Sequence, residues 1–145
     1  MSLEAMVKNL VVEVVHKVSP ESSVHDAASL MLEKDISCLL VSGVEGPIGI
    51  ITERDILRRV TAVRLDPGKV RVKDVMSSPL VSVDPETSVG DAAKKMIESE
   101  IKRLVVMSKD GAFMGLITMT DIVRWVARQE ELSDSLLNYL NFGVP

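Results

Sequence analysis

Two short runs hold the residue types best suited to binding chemistry. One is Gly49-Ile50-Ile51-Thr52-Glu53-Arg54-Asp55-Ile56, the other Gly115-Leu116-Ile117-Thr118-Met119-Thr120-Asp121-Ile122. In both, a threonine and an aspartate lie three residues apart, where an apolar strand pattern gives way to a helical one. The opening turn of a helix carries unpaired N–H groups and the positive end of the helix dipole, so it favours an anion. A threonine hydroxyl adds a donor there, and a carboxylate can accept from the paired hydroxyls of a ribose. The same spacing also serves a purely architectural end. Thr-x-x-Asp caps a helix without any ligand, worth roughly 0.5–2 kcal/mol.

Other chemistries find less support. His16 and His25 stand apart from any cysteine or carboxylate array at metal-ligand spacing. Gly43-x-x-Gly46-x-x-Gly49 falls between two strand patterns and reads as a turn, not a phosphate loop. Serine, cysteine and histidine never approach a recognisable nucleophile arrangement, so an enzyme is the least favoured class. Cys38 sits on an expected strand and reads as a buried small hydrophobe. The basic stretch Arg54–Lys73 is diluted by Glu53, Asp55 and Asp66 and reads as a solvated face.

The elements that position the two Thr-x-x-Asp runs are themselves duplicated. Val7–Val60 aligns with Val72–Val126, with one extra residue in the second copy near Phe113. Val24, Ala27, Ala28, Met31 and Leu32 follow one face of a 3.6-residue period, and Val89, Ala92, Ala93, Met96 and Ile97 repeat it. Ser23-x-x-Asp26 and Ser88-x-x-Asp91 mark the starts of these helices. Ile36–Val41 and Ile101–Met107 predict strands, each followed by a turn, a second strand through Gly49–Ile51 or Gly115–Ile117, and a second helix from about Glu53 or Met119. Each copy also opens with a short extended segment before its proline. The fold expected is α+β: two β-α-β-β-α repeats packed with pseudo-twofold symmetry. The expected divisions are 7–62, a linker at 63–71, 72–128, and a tail at 129–145 where Leu132, Leu136, Leu137 and Leu140 suggest an amphipathic helix.

The 145 residues include 17 Lys+Arg and 21 Asp+Glu, a formal net charge of -4, with 46% apolar and 3% aromatic residues. That balance excludes a disordered chain. The acidic net charge and the scarcity of rings argue against nucleic acid as the main partner. No apolar run approaches the ~18 residues of a membrane span, and no secretory signal is visible. A single cysteine fits a reducing, cytoplasmic setting.

In this order and twice over, the motifs resemble a tandem pair of cystathionine-β-synthase (CBS) domains, a Bateman module. They are Val72-Lys73-Asp74-Val75-Met76, Ser88-Val89-x-Asp91-Ala92-Ala93, Ile101-Lys102-Arg103-Leu104-Val105-Val106 and the two Gly-x-Ile-Thr-x-x-Asp runs. The first copy departs at its start, where Asn9-Leu10-Val11 replaces Asp-Val-Met. The resemblance implies a non-catalytic sensor that binds AMP, ADP, ATP or S-adenosylmethionine in clefts between paired units. One cleft would use Thr118, Thr120, Asp121, Lys102 and Arg103 with Val18 and Val24. The other would use Thr52, Arg54 and Asp55 with Val81, Val83 and Val89. Lys102-Arg103 aligns with Ser37-Cys38, so the Asp121 cleft is the better phosphate site. The resemblance also implies a homodimer, with Trp125 and the leucine-rich tail as candidate contacts, regulating a partner protein in trans. The alternatives are a ligand-free dimerisation scaffold, in which Thr-x-x-Asp only caps helices, and a nucleic-acid binder using Arg54–Lys73.

Overall fold

The computed structural model describes residues 5–11 and 15–129. The leucine pattern of the tail lies outside the described residues. The chain divides into two compact units, Val14–Val81 and Met1–Glu13 together with Ser82–Pro145.

The first unit runs β1 (Lys17–Val18), α1 (Val24–Lys34), β2 (Cys38–Gly43), β3 (Gly46–Thr52), α2 (Glu53–Ile56), a π-helical turn (Leu57–Thr61) and α3 (Val72–Val75). The second opens with a 3-10 turn (Val7–Asn9) and continues with β4 (Ser82–Val83), α4 (Val89–Glu98), β5 (Arg103–Met107), β6 (Phe113–Thr118) and α5 (Met119–Gln129). Each unit holds one three-stranded sheet, β1-β2-β3 or β4-β5-β6. Its first pair is parallel and its second antiparallel. The α+β class and the duplicated order of elements are as the sequence predicts.

The periodicity places the right faces inward. Val24, Ala27 and Met31 of α1 are buried with Leu39, Val41, Ile51, Val60, Val72 and Val75. In the second unit Val89, Ala92 and Met96 of α4 are buried, as are Leu104, Val106 and Ile117. Both helices start on a serine cap: Ser23 Oγ accepts from Asp26 N–H and Ser88 Oγ from Asp91 N–H, each at 3.0 Å. The caps are one-sided: among the described residues neither aspartate carboxylate accepts from the serine N–H.

The strands depart from their predicted bounds for local reasons. The first strand of each hairpin starts later, at Cys38 and Arg103, because Ile36 N–H and Ile101 N–H are spent closing the preceding helix on Met31 O and Met96 O, both at 3.0 Å. β3 begins at Gly46, earlier than Gly49, and takes in Pro47 beside a register shift between Val41 and Ser42, the irregular kind of place where a strand tolerates proline. The first copy's second helix breaks after Ile56 into the π turn, where Ala62 N–H bonds to Leu57 O at 2.8 Å. Cys38 is half-buried, not buried.

The opening segments carry the main surprise. Val72 N–H bonds to Ser22 O (2.9 Å), Lys73 N–H to Pro20 O (3.0 Å) and Val24 N–H to Val70 O (2.9 Å), while Lys73 Nζ meets Glu21 at 3.1 Å. The second unit repeats this with the matching residues. Val7 N–H bonds to Thr87 O (2.9 Å), Lys8 N–H to Pro85 O (3.2 Å) and Val89 N–H to Ala5 O (2.7 Å), and Lys8 Nζ meets Glu86 at 3.1 Å. Each repeat's opening segment is therefore docked on the other repeat's first helix.

Candidate functional site

Both Thr-x-x-Asp turns form complete capping boxes. Thr52 Oγ1 accepts from Asp55 N–H at 3.1 Å, and Asp55 Oδ2 accepts from Thr52 N–H at 3.0 Å. Thr118 Oγ1 accepts from Asp121 N–H at 3.1 Å, and Asp121 Oδ2 accepts from Thr118 N–H at 2.9 Å. The strand-to-helix junction fixes both aspartates, and capping uses one carboxylate oxygen of each. Chemistry toward a ligand then falls to the other oxygen and to the threonine hydroxyl's remaining hydrogen.

The remaining oxygens have different surroundings. Asp55 is buried, and its Oδ1 accepts from the hydroxyl of Ser77 at 2.9 Å, with Arg59 Nη1 at 3.8 Å. Asp121 is half-buried and lines a cavity of about 250 Å³ with Asn9, Leu10, Arg124, Trp125 and Arg128. Arg124 and Arg128 stand three and seven residues after Asp121, on its face of α5, so helical spacing alone could have found them. Two guanidinium groups, an indole and a carboxylate around one cavity suit a ligand with both hydroxyl and anionic groups.

The other expected residues are placed as follows within their own units. Thr120 is exposed on α5. Lys102 is exposed, and its carbonyl accepts from Met119 N–H at 2.9 Å. Arg103 is half-buried, opposite Thr118 across the β5–β6 pair. Arg54 is exposed on α2, and Val81 is half-buried in the same unit as Thr52 and Asp55. Val18 and Val24 belong to the first unit, whereas Asp121 is in the second; Val83 and Val89 belong to the second, whereas Asp55 is in the first. Val24 and Val89 have no exposed surface, and the backbone N–H of each bonds to an opening segment in its own unit. Trp125 is half-buried and lines the cavity at Asp121. Among the described residues no three His, Cys, Asp or Glu side chains converge on a metal-sized site, and no helix is long and apolar enough to cross a membrane.

The CBS domain family model matches residues 4–62 and 72–128. The chain belongs to the CBS domain family. It is a tandem CBS pair, and both repeats contribute a Thr-x-x-Asp turn. The CBS domain-containing protein YhcV of Bacillus subtilis is 32% identical over 91% of this chain and 93% of its own length. The protein MK0525 of Methanopyrus kandleri is 36% identical over 73% of this chain, which spans only 55% of that relative. Among solved structures, a conserved protein from Pyrococcus horikoshii superposes with a TM-score of 0.80 at 29% identity, covering 87% of this chain and 95% of its own. The CBS domain protein PAE2072 from Pyrobaculum aerophilum, complexed with AMP, shares the fold with a TM-score of 0.74 at 21% identity, covering 96% of this chain and 100% of its own.

Proposed function

We propose that this CBS pair is a non-catalytic regulatory module that binds an adenosine-containing ligand, with Asp121 as the acceptor for ribose hydroxyls. The observation that carries this reading is the cavity at Asp121, where Arg124, Arg128 and Trp125 surround a carboxylate with one oxygen committed to capping. At about 250 Å³ it falls below the roughly 300 Å³ at which sites for drug-sized ligands begin, so it suits the sugar and phosphate of a nucleotide rather than the whole. The AMP held by the Pyrobaculum relative supports an adenine nucleotide over other diols. ADP, ATP and S-adenosylmethionine offer the same ribose.

The output is a change in a partner protein, driven by the ligand's different affinity for two arrangements of the chain. The molecule acts as a homodimer through apolar helix positions that recur in both repeats: Leu32 and Leu57 are 84% and 59% exposed, and their counterparts Ile97 and Val123 are 70% and 41% exposed. The lone Cys38 fits a reducing cytoplasm.

Titration calorimetry with AMP, ATP and S-adenosylmethionine on the wild type and Asp121→Ala tests the site. Binding that weakens at least tenfold in the variant is expected. The capping bonds alone favour a second reading, a ligand-free scaffold. That reading wins if none of these compounds binds, and Asp121→Ala then merely lowers the melting temperature.

A further inference from the structure

The two carboxylates differ in what already occupies them. Asp55 has both oxygens engaged within its own unit, Oδ2 by Thr52 N–H and Oδ1 by the Ser77 hydroxyl at 2.9 Å. Ser77 is exposed on its outer side but firmly held by its backbone. Its N–H bonds to Ile50 O at 2.8 Å, and its carbonyl accepts from Ile50 N–H at 3.0 Å. Arg59 Nη1 donates to the carbonyls of Val75 (2.9 Å) and Met76 (3.0 Å), clamping the residues just before it. Gly49 makes the close approach possible: a Cβ there would lie 2.8 Å from Met76 Sδ and 2.9 Å from Ser77 O. Three separate devices thus converge on one hydroxyl–carboxylate contact.

The other repeat's turn is not equipped this way. In the repeat alignment the residue matching Ser77 is Val12, which has no hydroxyl, and the residue matching Arg59 is Trp125, which has no guanidinium. The Thr118 N–H donates to one oxygen of the Asp121 carboxylate.

We propose that Ser77 is a built-in occupant of the Asp55 carboxylate, standing where a ligand hydroxyl would bond. The chain then carries a diol site at Asp55 closed by its own side chain, while the Asp121 turn has no hydroxyl at the matching position. This rests on the reading of these aspartates as diol acceptors. A ligand at Asp55 must displace a hydrogen bond to a charged group, which lowers its affinity by about ten- to a hundredfold.

Two measurements on the full chain decide the matter. A double-mutant cycle of Asp55→Ala and Ser77→Ala by denaturant unfolding, without ligand, tests the bond itself. The folding equilibrium is expected to show a coupling of about fivefold or more, and effects that multiply independently overturn the proposal. Calorimetric titration with AMP tests the consequence. The wild type is expected to bind one AMP per chain and Ser77→Ala two, the second vanishing in the Ser77→Ala, Asp55→Ala double variant. Two equal sites in the wild type, or a single site persisting in Ser77→Ala, overturn it. AMP binding to none of these chains overturns the diol reading itself, while the cycle still decides whether Ser77 holds Asp55.

Discussion

Gly49 lies in a strand, where its conformation asks for no glycine, yet no other residue fits. The Met76–Ser77 backbone crosses so close that an added methyl would overlap a sulfur and a carbonyl oxygen. Gly49→Ala must push that segment off β3, with loss of both Ser77–Ile50 bonds, and is expected to destabilise the fold by about 1–3 kcal/mol in urea unfolding. The sequence displayed the Thr-x-x-Asp turns plainly because their partners lie three residues apart. It hid Ser77 and Arg59, whose partners lie 22 and 16 residues away, since neither helical nor strand spacing relates them. Arg124 and Arg128 were legible from their spacing to Asp121, but isolated arginines on a helix read as solvated charge.

At the scale of elements, both first helices stop at a non-glycine residue in the left-handed region, Asp35 (φ 53°) and Glu100 (φ 55°). Aspartate tolerates that conformation better than glutamate does, and glycine better than either. Glu100→Gly is expected to stabilise the protein by about 0.5–1 kcal/mol, seen as a raised melting temperature, and Asp35→Gly by less. The β5–β6 turn holds a different kind of device. The Ser108 hydroxyl bonds to the Asp110 carboxylate, and this bond, with help from the Ala112 and Asp110 backbone N–H groups, holds the Asp110 carboxyl below the usual aspartate range. A lowered folded pKa contributes stability above the ordinary aspartate value and loses it as pH falls through the folded one. Melting curves taken from about pH 5 down to pH 2 are expected to fall less steeply in Asp110→Asn than in the wild type. Helices α1 and α4 were readable in full from their apolar period. The break of the first copy's second helix into a π turn was not, because Glu53–Val60 has an unbroken helical pattern.

At the scale of the whole molecule, the sequence repeats and the compact units do not coincide. The repeats are contiguous, but Val72 and Val75 fill the core built on α1, β2 and β3, and Val7 is fully buried in the unit of α4. A fragment spanning 14–81 keeps its core and is expected to melt cooperatively by circular dichroism. A fragment spanning 1–62 has the whole first repeat but lacks the Val72 and Val75 side chains, and is expected not to. The opposite ranking would show that the opening segments are accessories. Patterning could not have revealed the exchange, because Val7 and Val72 read alike and either half offers the same partners to both.

That exchange ties the two halves into a single heritable unit. A copying event that produced two equal repeats left each holding a piece of its twin, so a substitution at Val72 is felt in the half that Val72 does not encode. Neither copy is free to drift, be trimmed away or be shuffled into another gene without the other.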